Sequence, residues 1–247
     1  MTMRAPSPLA LLEAWESGLG KDFARCGLAL LAAACPETEA DALASLSIGE
    51  RDRRLLSLRE AVFGARMTAL ATCGRCAEAL EFELSAGALQ APAPESGPGA
   101  DAALVVDHGD WRLELRPPDS RDLIAAADAP EEAEQVLFTR SVRAAAFAGA
   151  PADAATAPPE VRSAAAERLA VADPLADLQL ALSCSSCGFE WSAPLDVVAF
   201  LWAELDAWAG RTMRDVHVLA SAYGWDERQI LALPAARRGH YLRLAGA

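Results

Sequence analysis

Two Cys-x-x-Cys pairs, Cys73/Cys76 and Cys184/Cys187, are the side chains of this 247-residue chain best suited by type and spacing to do chemistry. A two-residue spacer lets both sulfurs of one tight turn reach the same ion. Two such turns supply the four thiolates of a tetrahedral structural zinc site, with Zn–S distances of about 2.3 Å. Residues 77–183 separate the pairs. Closing so long a loop costs only logarithmically more entropy than closing a short one, so the separation does not forbid a shared ion, but it requires a whole structural unit to be inserted between the turns. Four unmetallated thiols and two redox-active pairs are the alternatives. A thioredoxin-type site takes one pair at a helix start inside a βαβ unit, whereas both pairs here precede strand-like text, which favours Zn2+.

The chain also repeats itself around these pairs. A shift of 111 positions lays Cys73 on Cys184, Cys76 on Cys187, Leu80 on Trp191 and Leu84 on Leu195. After the first pair, Leu80, Phe82 and Leu84 alternate with polar residues; after the second, Gly188 to Leu195 reads as a short strand leading into a helix. Each half therefore reads as a metal knuckle followed by a strand.

The other chemistry-bearing residues do not converge in sequence. His108, His217 and His240 are far apart and none stands in metal-ligand spacing with another. His217, with Asp215 and Glu204 on one long helical stretch, is the best candidate for a second metal or acid–base site, although charges along a helix usually form its solvated face. There is no phosphate-binding glycine loop, no Gly-x-Ser-x-Gly and no His-Glu-x-x-His, so the expectation is a protein without catalysis.

Composition narrows the partners. The formal net charge is −13 and Lys21 is the one lysine; phosphate affinity is built from clustered Lys and Arg, so nucleic acid is disfavoured even though zinc ribbons often bind it. The arginine groups Arg51/Arg53/Arg54/Arg59 and Arg237/Arg238/Arg243 read as solvated faces or ion-pair partners. No apolar run approaches the roughly 20 residues that span a bilayer, and the first residues lack the apolar segment of a secretion signal, so a cytoplasmic protein is expected. Cys26 and Cys35, in an apolar stretch, read as reduced core residues.

The elements that must carry the knuckles follow from periodicity. Residues 8–18 and 22–35 have helical apolar spacing, with Leu9, Leu12, Trp15 and Leu19 on one face and Phe23, Leu28 and Leu31 on the next, and a short helix lies within 36–44. Ser47 caps a longer helix whose apolar set, Leu55 to Leu70, runs up to the first knuckle. Residues 88–99 read as a linker. Residues 103–107 and Trp111–Arg116 form a hairpin turning at His108-Gly-Asp, and Asp119 starts a helix. The alanine-rich stretches 123–148 and 159–172 read as helices around a flexible 149–158, and 178–183 alternates into the second knuckle. Residues 195–222 read as one long helix or two broken near Gly210; Gly224 supplies its left-handed cap, Asp226 and Gln229 a capping box, and Pro234 opens the last helix. The aromatic residues of this end are expected to be mainly core.

The segment Tyr223-Gly-Trp-Asp-x-x-Gln-Ile-Leu-x-Leu-Pro-x-x-Arg-Arg-x-x-Tyr-Leu, taken with Ser47-Ile-Gly-x-Arg-Asp-x-x-Leu-Leu-x-Leu-Arg and both knuckles, resembles the phage-type baseplate hub assembly chaperone family, also present in bacterial contractile injection loci. The likeness covers nearly the whole chain, with a variable middle third. It departs at the first knuckle, where Gly74 and Ala77 stand in place of a common proline and glycine, and alanine takes positive φ less freely. It transfers no catalytic residue. It implies a non-enzymatic assembly factor or structural component that binds hub or spike subunits, through the aromatic C-terminal helices (Tyr223, Trp225, Tyr241) and the hairpin around Trp111. A zinc-ribbon adaptor that binds another protein or nucleic acid outside a tail system is the alternative. The expected architecture is mainly α with small β elements: an N-terminal helical unit (1–72), a first knuckle and strand (73–90), an inserted hairpin with helices (91–182), and a second knuckle with a C-terminal helical unit (183–247), joined by a discontinuous four-cysteine zinc ribbon.

Overall fold

The computed structural model describes residues 2–90 and 104–246. Its first helices are α1 (Pro8–Gly18), α2 (Phe23–Ala34), the short α3 (Ala40–Ala44) and α4 (Ile48–Phe63). Ser7, Asp22 and Ser47 cap α1, α2 and α4, each side chain accepting from a backbone N–H three residues on and so satisfying one of the donors a helix start leaves open. α4 stops earlier than its apolar residues imply. Gly64 takes φ 91°, and residues 66–72, expected as helix, form strand β1 (Arg66–Thr72), paired antiparallel with β2 (Ala79–Ser85). The reason is a change of period. Met67, Ala69 and Ala71 turn inward and alternate with exposed residues, and Leu70, counted above in the helical apolar set, is 78% exposed.

Helix α5 (Ala86–Leu89) follows; residues 91–99 of the expected linker, and residue 103 of the expected hairpin, lie outside the described residues. The inserted unit starts with β3 (Leu104–His108) and β4 (Trp111–Leu115), which turn at Gly109 with φ 59°. Helix α6 (Ser120–Ala127), capped by the reciprocal Asp119/Asp122 box, leads to α7 (Ala133–Ser141). The alanine-rich text then departs from expectation: β5 (Val142–Phe147) pairs with β4, and β6 (Ala150–Pro151) pairs with β5, giving a four-stranded antiparallel sheet in the order β3-β4-β5-β6. Alanine prefers helix, but the free edge of β4 presents hydrogen-bonding groups that a strand satisfies. The expected flexible segment 149–158 holds β6 and a 3-10 turn, Ala154–Thr156, capped by Asp153. Helix α8 (Pro159–Ala172) covers the sheet, and Leu104, Val106, Leu113, Leu115, Val161 and Ala165 are its core.

After a 3-10 turn at Pro174–Asp177 come the second hairpin, β7 (Gln179–Ser183) and β8 (Glu190–Pro194), and α9 (Val197–Tyr223), which passes through Gly210 unbroken. Gly224 caps it in the left-handed region (φ 68°), Asp226 and Gln229 form the capping box of α10 (Glu227–Ala232), and α11 (Ala235–Leu244) ends the described chain.

Helices α1, α2, α4 and α9 share one core. Leu30, Leu31, Leu55, Leu56 and Leu205 are almost fully buried there, as are Cys26 and Cys35, and each leucine contributes about 1.5–3 kcal/mol by burial. Gly18 allows α9 to approach α1: a Cβ on it would lie 2.2 Å from the Trp202 ring. Arg59 fastens α4 to α9 through Glu204 at 2.7 Å. The inserted unit sits on the start of α4, where the Gly49 N–H donates to Asp173 (2.9 Å) and the Ile48 N–H to the Pro118 carbonyl (3.1 Å). Leu19 and Phe23, expected on packed faces, are half exposed, and α11 has no buried residue. Helices predominate over strands, and no helix among the described residues is long and apolar enough to cross a membrane.

Candidate metal centre

Both knuckles are the tips of hairpins, and the tips meet. The four sulfurs of Cys73, Cys76, Cys184 and Cys187 all lie within 4.8 Å of one another. Between hairpins, Cys73 Sγ is 3.8 Å from Cys187 Sγ and Cys76 Sγ is 3.6 Å from Cys184 Sγ. Ligands at about 2.3 Å from a tetrahedral centre stand about 3.8 Å apart, so these spacings fit one ion, whereas a disulfide needs about 2.05 Å. All four are free cysteines. A set of four thiolates is soft and tetrahedral, the donor chemistry of zinc or of iron held by sulfur.

The 111-position repeat governs the backbone as well. Thr72 opposite Ala79 closes one hairpin and Ser183 opposite Glu190 the other. The Cys73 N–H donates to the Glu78 carbonyl (2.9 Å) as the Cys184 N–H does to that of Phe189 (2.8 Å), and the Ala77 and Gly188 N–H groups donate to the Cys73 and Cys184 carbonyls, each at 2.9 Å. Both turns need a left-handed residue before the returning strand. Gly188 takes φ 68° without strain, while Ala77 takes φ 60°, so the substitution that sets the first knuckle apart is accommodated at a backbone cost rather than by a different turn.

Cys73 and Cys184 are buried, Cys187 is partly buried and Cys76 is exposed, so the centre has a closed side and an open one. The thiols respond differently. Burial disfavours the Cys73 thiolate, but the backbone N–H groups of Cys76 and Arg75 and the neighbouring thiols of Cys76 and Cys184 favour it, and its pKa falls to about 7; the Arg75 N–H lies 3.4 Å from the sulfur. For Cys76 the backbone N–H of Glu78 favours the thiolate, and Cys187, burial, Cys184 and Cys73 outweigh it, pushing the thiol up to about 12. Four sulfurs this close cannot all carry charge unless a cation neutralises them.

Elsewhere the structure separates what sequence had grouped. His217 is exposed, and its proposed partners are engaged: Glu204 with Arg59, Asp215 with Arg238 at 3.4 Å. Among the described residues the four cysteines are the one group of three or more metal-ligating side chains that converges. Of the aromatic candidates, Tyr223, Trp225 and Tyr241 form one cluster, with ring centroids 4.7 Å apart for Tyr223/Trp225 and 4.9 Å for Trp225/Tyr241. It lies at the surface rather than in the core expected for this end, with Tyr223 exposed and the other two partly so: α10 is anchored through the buried Ile230 and Leu231, while α11 has no buried residue among those described. Trp111 belongs to the inserted sheet, against Phe147 at 5.4 Å. Sequence reading missed strand β1, and with it the complete hairpin around the first knuckle; the polar alternation of Arg66, Thr68 and Thr72 is the signal that carries it. Compared with protein-family models, curated proteins and solved structures, the chain matches none.

Proposed function

We propose that this chain is a non-enzymatic, zinc-stapled binding protein that serves as an assembly factor of a phage-like contractile tail baseplate, holding hub or spike subunits during construction. The convergence of four sulfurs from two distant hairpins carries the binding-protein half of this reading: a closed tetrathiolate set leaves no open coordination position, so the ion is structural and forms a discontinuous zinc ribbon. Zinc is preferred to an iron–sulfur cluster because one mononuclear ion with four protein ligands satisfies the site with no added sulfide. The exposed Tyr223/Trp225/Tyr241 cluster supports a protein partner, since aromatic side chains supply most of the energy at interface centres. The tail-assembly half rests on the sequence resemblance stated above.

Elemental analysis of the purified protein tests the first half, with one zinc per chain expected and two, or none, overturning it. Co-expression with the proteins encoded beside it tests the second. A hub or spike subunit that co-purifies, and is lost with Trp225→Ala and Tyr241→Ala, is expected; the absence of any stable complex would overturn the assembly role while leaving the metal centre standing.

A further inference from the structure

The two hairpins lie side by side, and the space between them is bounded in an unusual way. A groove of about 490 Å³ is lined by residues 80–84 of β2 and 179–183 of β7, with Ser185 of the second knuckle at its end. Successive residues of both strands line it, not alternate ones. A pleated face presents every second residue, so the walls are strand edges. Among the described residues both edges are free: β2 pairs only with β1 and β7 only with β8, and no backbone hydrogen bond joins β2 to β7. β2 runs away from the cysteine centre and β7 toward it, so the two edges run in opposite directions across the gap.

Open edges carry unpaired N–H and C=O groups, which take up an added strand whenever one of the right pattern arrives. The side chains specify that pattern. Leu80, Phe82 and Leu84 on β2 and Leu180 and Leu182 on β7 are half-buried at one parity. At the other parity Glu81 and Glu83 are exposed, and Glu83 meets Arg66 at 3.5 Å in a largely solvated pair that is worth little.

We propose that this groove receives an extended segment of a partner protein whose apolar residues alternate with Lys or Arg, completing a five-stranded sheet in the order β1-β2-partner-β7-β8. Its apolar side chains continue the half-buried face of both hairpins, and its cations meet Glu81 and Glu83. The inference deepens the binding role proposed above, yet it stands on the placement of the hairpins rather than on the tail-assembly reading.

The test uses the 247-residue chain loaded with zinc and an acetylated, amidated synthetic peptide alternating valine with lysine. Saturable binding is expected, with new amide hydrogen-exchange protection in β2 and β7 and no change in β1 and β8. A peptide N-methylated at alternate backbone positions is expected to lose binding, and the exposed double variant Glu81→Lys/Glu83→Lys to bind the parent peptide about tenfold more weakly. Zinc content measured on every sample separates loss of the junction from loss of the groove. No saturation, equal binding of the N-methylated peptide, or protection outside β2 and β7 overturns the proposal; so does protection of these edges in the free protein at concentrations where it dimerises, which would make a second copy the occupant. None of these outcomes bears on whether a tail subunit co-purifies.

Discussion

Replacing Cys184 by serine removes a buried ligand at the tip of the second hairpin, and the fold dictates where the damage falls. The bases of both hairpins are anchored in the four-helix core: Met67 is fully buried there, and Leu84 and Leu178 pack against it. At the tips Cys73 and Cys184 are buried while the residues around them are exposed or partly so, so an ion bound by the four sulfurs would be what holds one tip to the other. With the core and its contacts to Met67, Leu84 and Leu178 intact, opening the tips frees residues 68–83 and 179–196. Cross-linking a flexible loop of roughly 15 to 20 residues is worth about 3 kcal/mol on chain-entropy grounds, and an isolated two-stranded hairpin is itself marginal in water. Amide exchange in β1, β2, β7 and β8 should therefore accelerate by about two orders of magnitude in Cys184→Ser, or in the parent protein stripped by a chelator, while the slowest amides of α2, α4 and α9 keep their rates. Hydrogen exchange followed by mass spectrometry resolves these segments. Unchanged exchange at the tips would refute a shared ion. Equal acceleration through α2 and α4 would refute the division into core and metal-held arm.

Three further outcomes follow from particular contacts. Ala77→Gly should stabilise the zinc-loaded protein by about 0.5–1 kcal/mol, because relief of a left-handed alanine exceeds the added freedom of the unfolded chain, and Gly188→Ala, with open space around its new Cβ, should cost a similar amount; thermal melts of the pair must move in opposite directions. Burial works against the Asp122 carboxylate, but bonds from Arg116, the Asp119 N–H and Arg140 hold its pKa below the ordinary range, so its contribution is complete above the unfolded value of about 3.9 and disappears as pH falls through the lower native one. Asp122→Asn should cost about 1–3 kcal/mol at neutral pH and flatten the acid limb of a stability–pH curve for the inserted unit. Trp225→Ala should cost only about 1–2 kcal/mol, less than the 3–5 of a fully buried aromatic residue, because Trp225 is only partly buried; calorimetry giving the larger figure would mean the cluster is core after all.

The cysteine pairs were legible because their chemistry is local. A two-residue spacer, a strand on the far side and a second copy 111 positions on are all visible in text, and the coordinates bring those sulfurs together. Capped helix ends were legible for the same reason: Ser47, Asp119, Asp226 and Gly224 act within a turn of themselves. What escaped was decided at long range. Leu70 looks like a helix position until Gly64 ends α4 and strand pairing with Glu81 sets its face outward. Val142 to Phe147 is helical by propensity and a strand because β4 offers an unpaired edge. The exposure of Tyr223 depends on how little of α11 reaches the core, which no periodicity in its ten residues reveals.

The same topology argues about what the metal is for. Helices from both ends of the chain already share a core, with the inserted unit seated on α4 through Asp173 and Pro118, and none of those contacts involves a cysteine of the centre. Were the ion needed chiefly for global stability, its place would be within that core. The four cysteines stand instead at the free end of two hairpins, where loss of a bound ion would change the spacing of β2 and β7 before anything else. An ion held there would therefore position a surface. It follows that zinc-free protein should keep its helical circular dichroism and main thermal transition yet lose affinity for the alternating peptide, and that restoring zinc should restore binding without passing through an unfolded state. Loss of helix content in step with loss of metal would instead make the centre a condition of folding, with no separate role for the arm it holds.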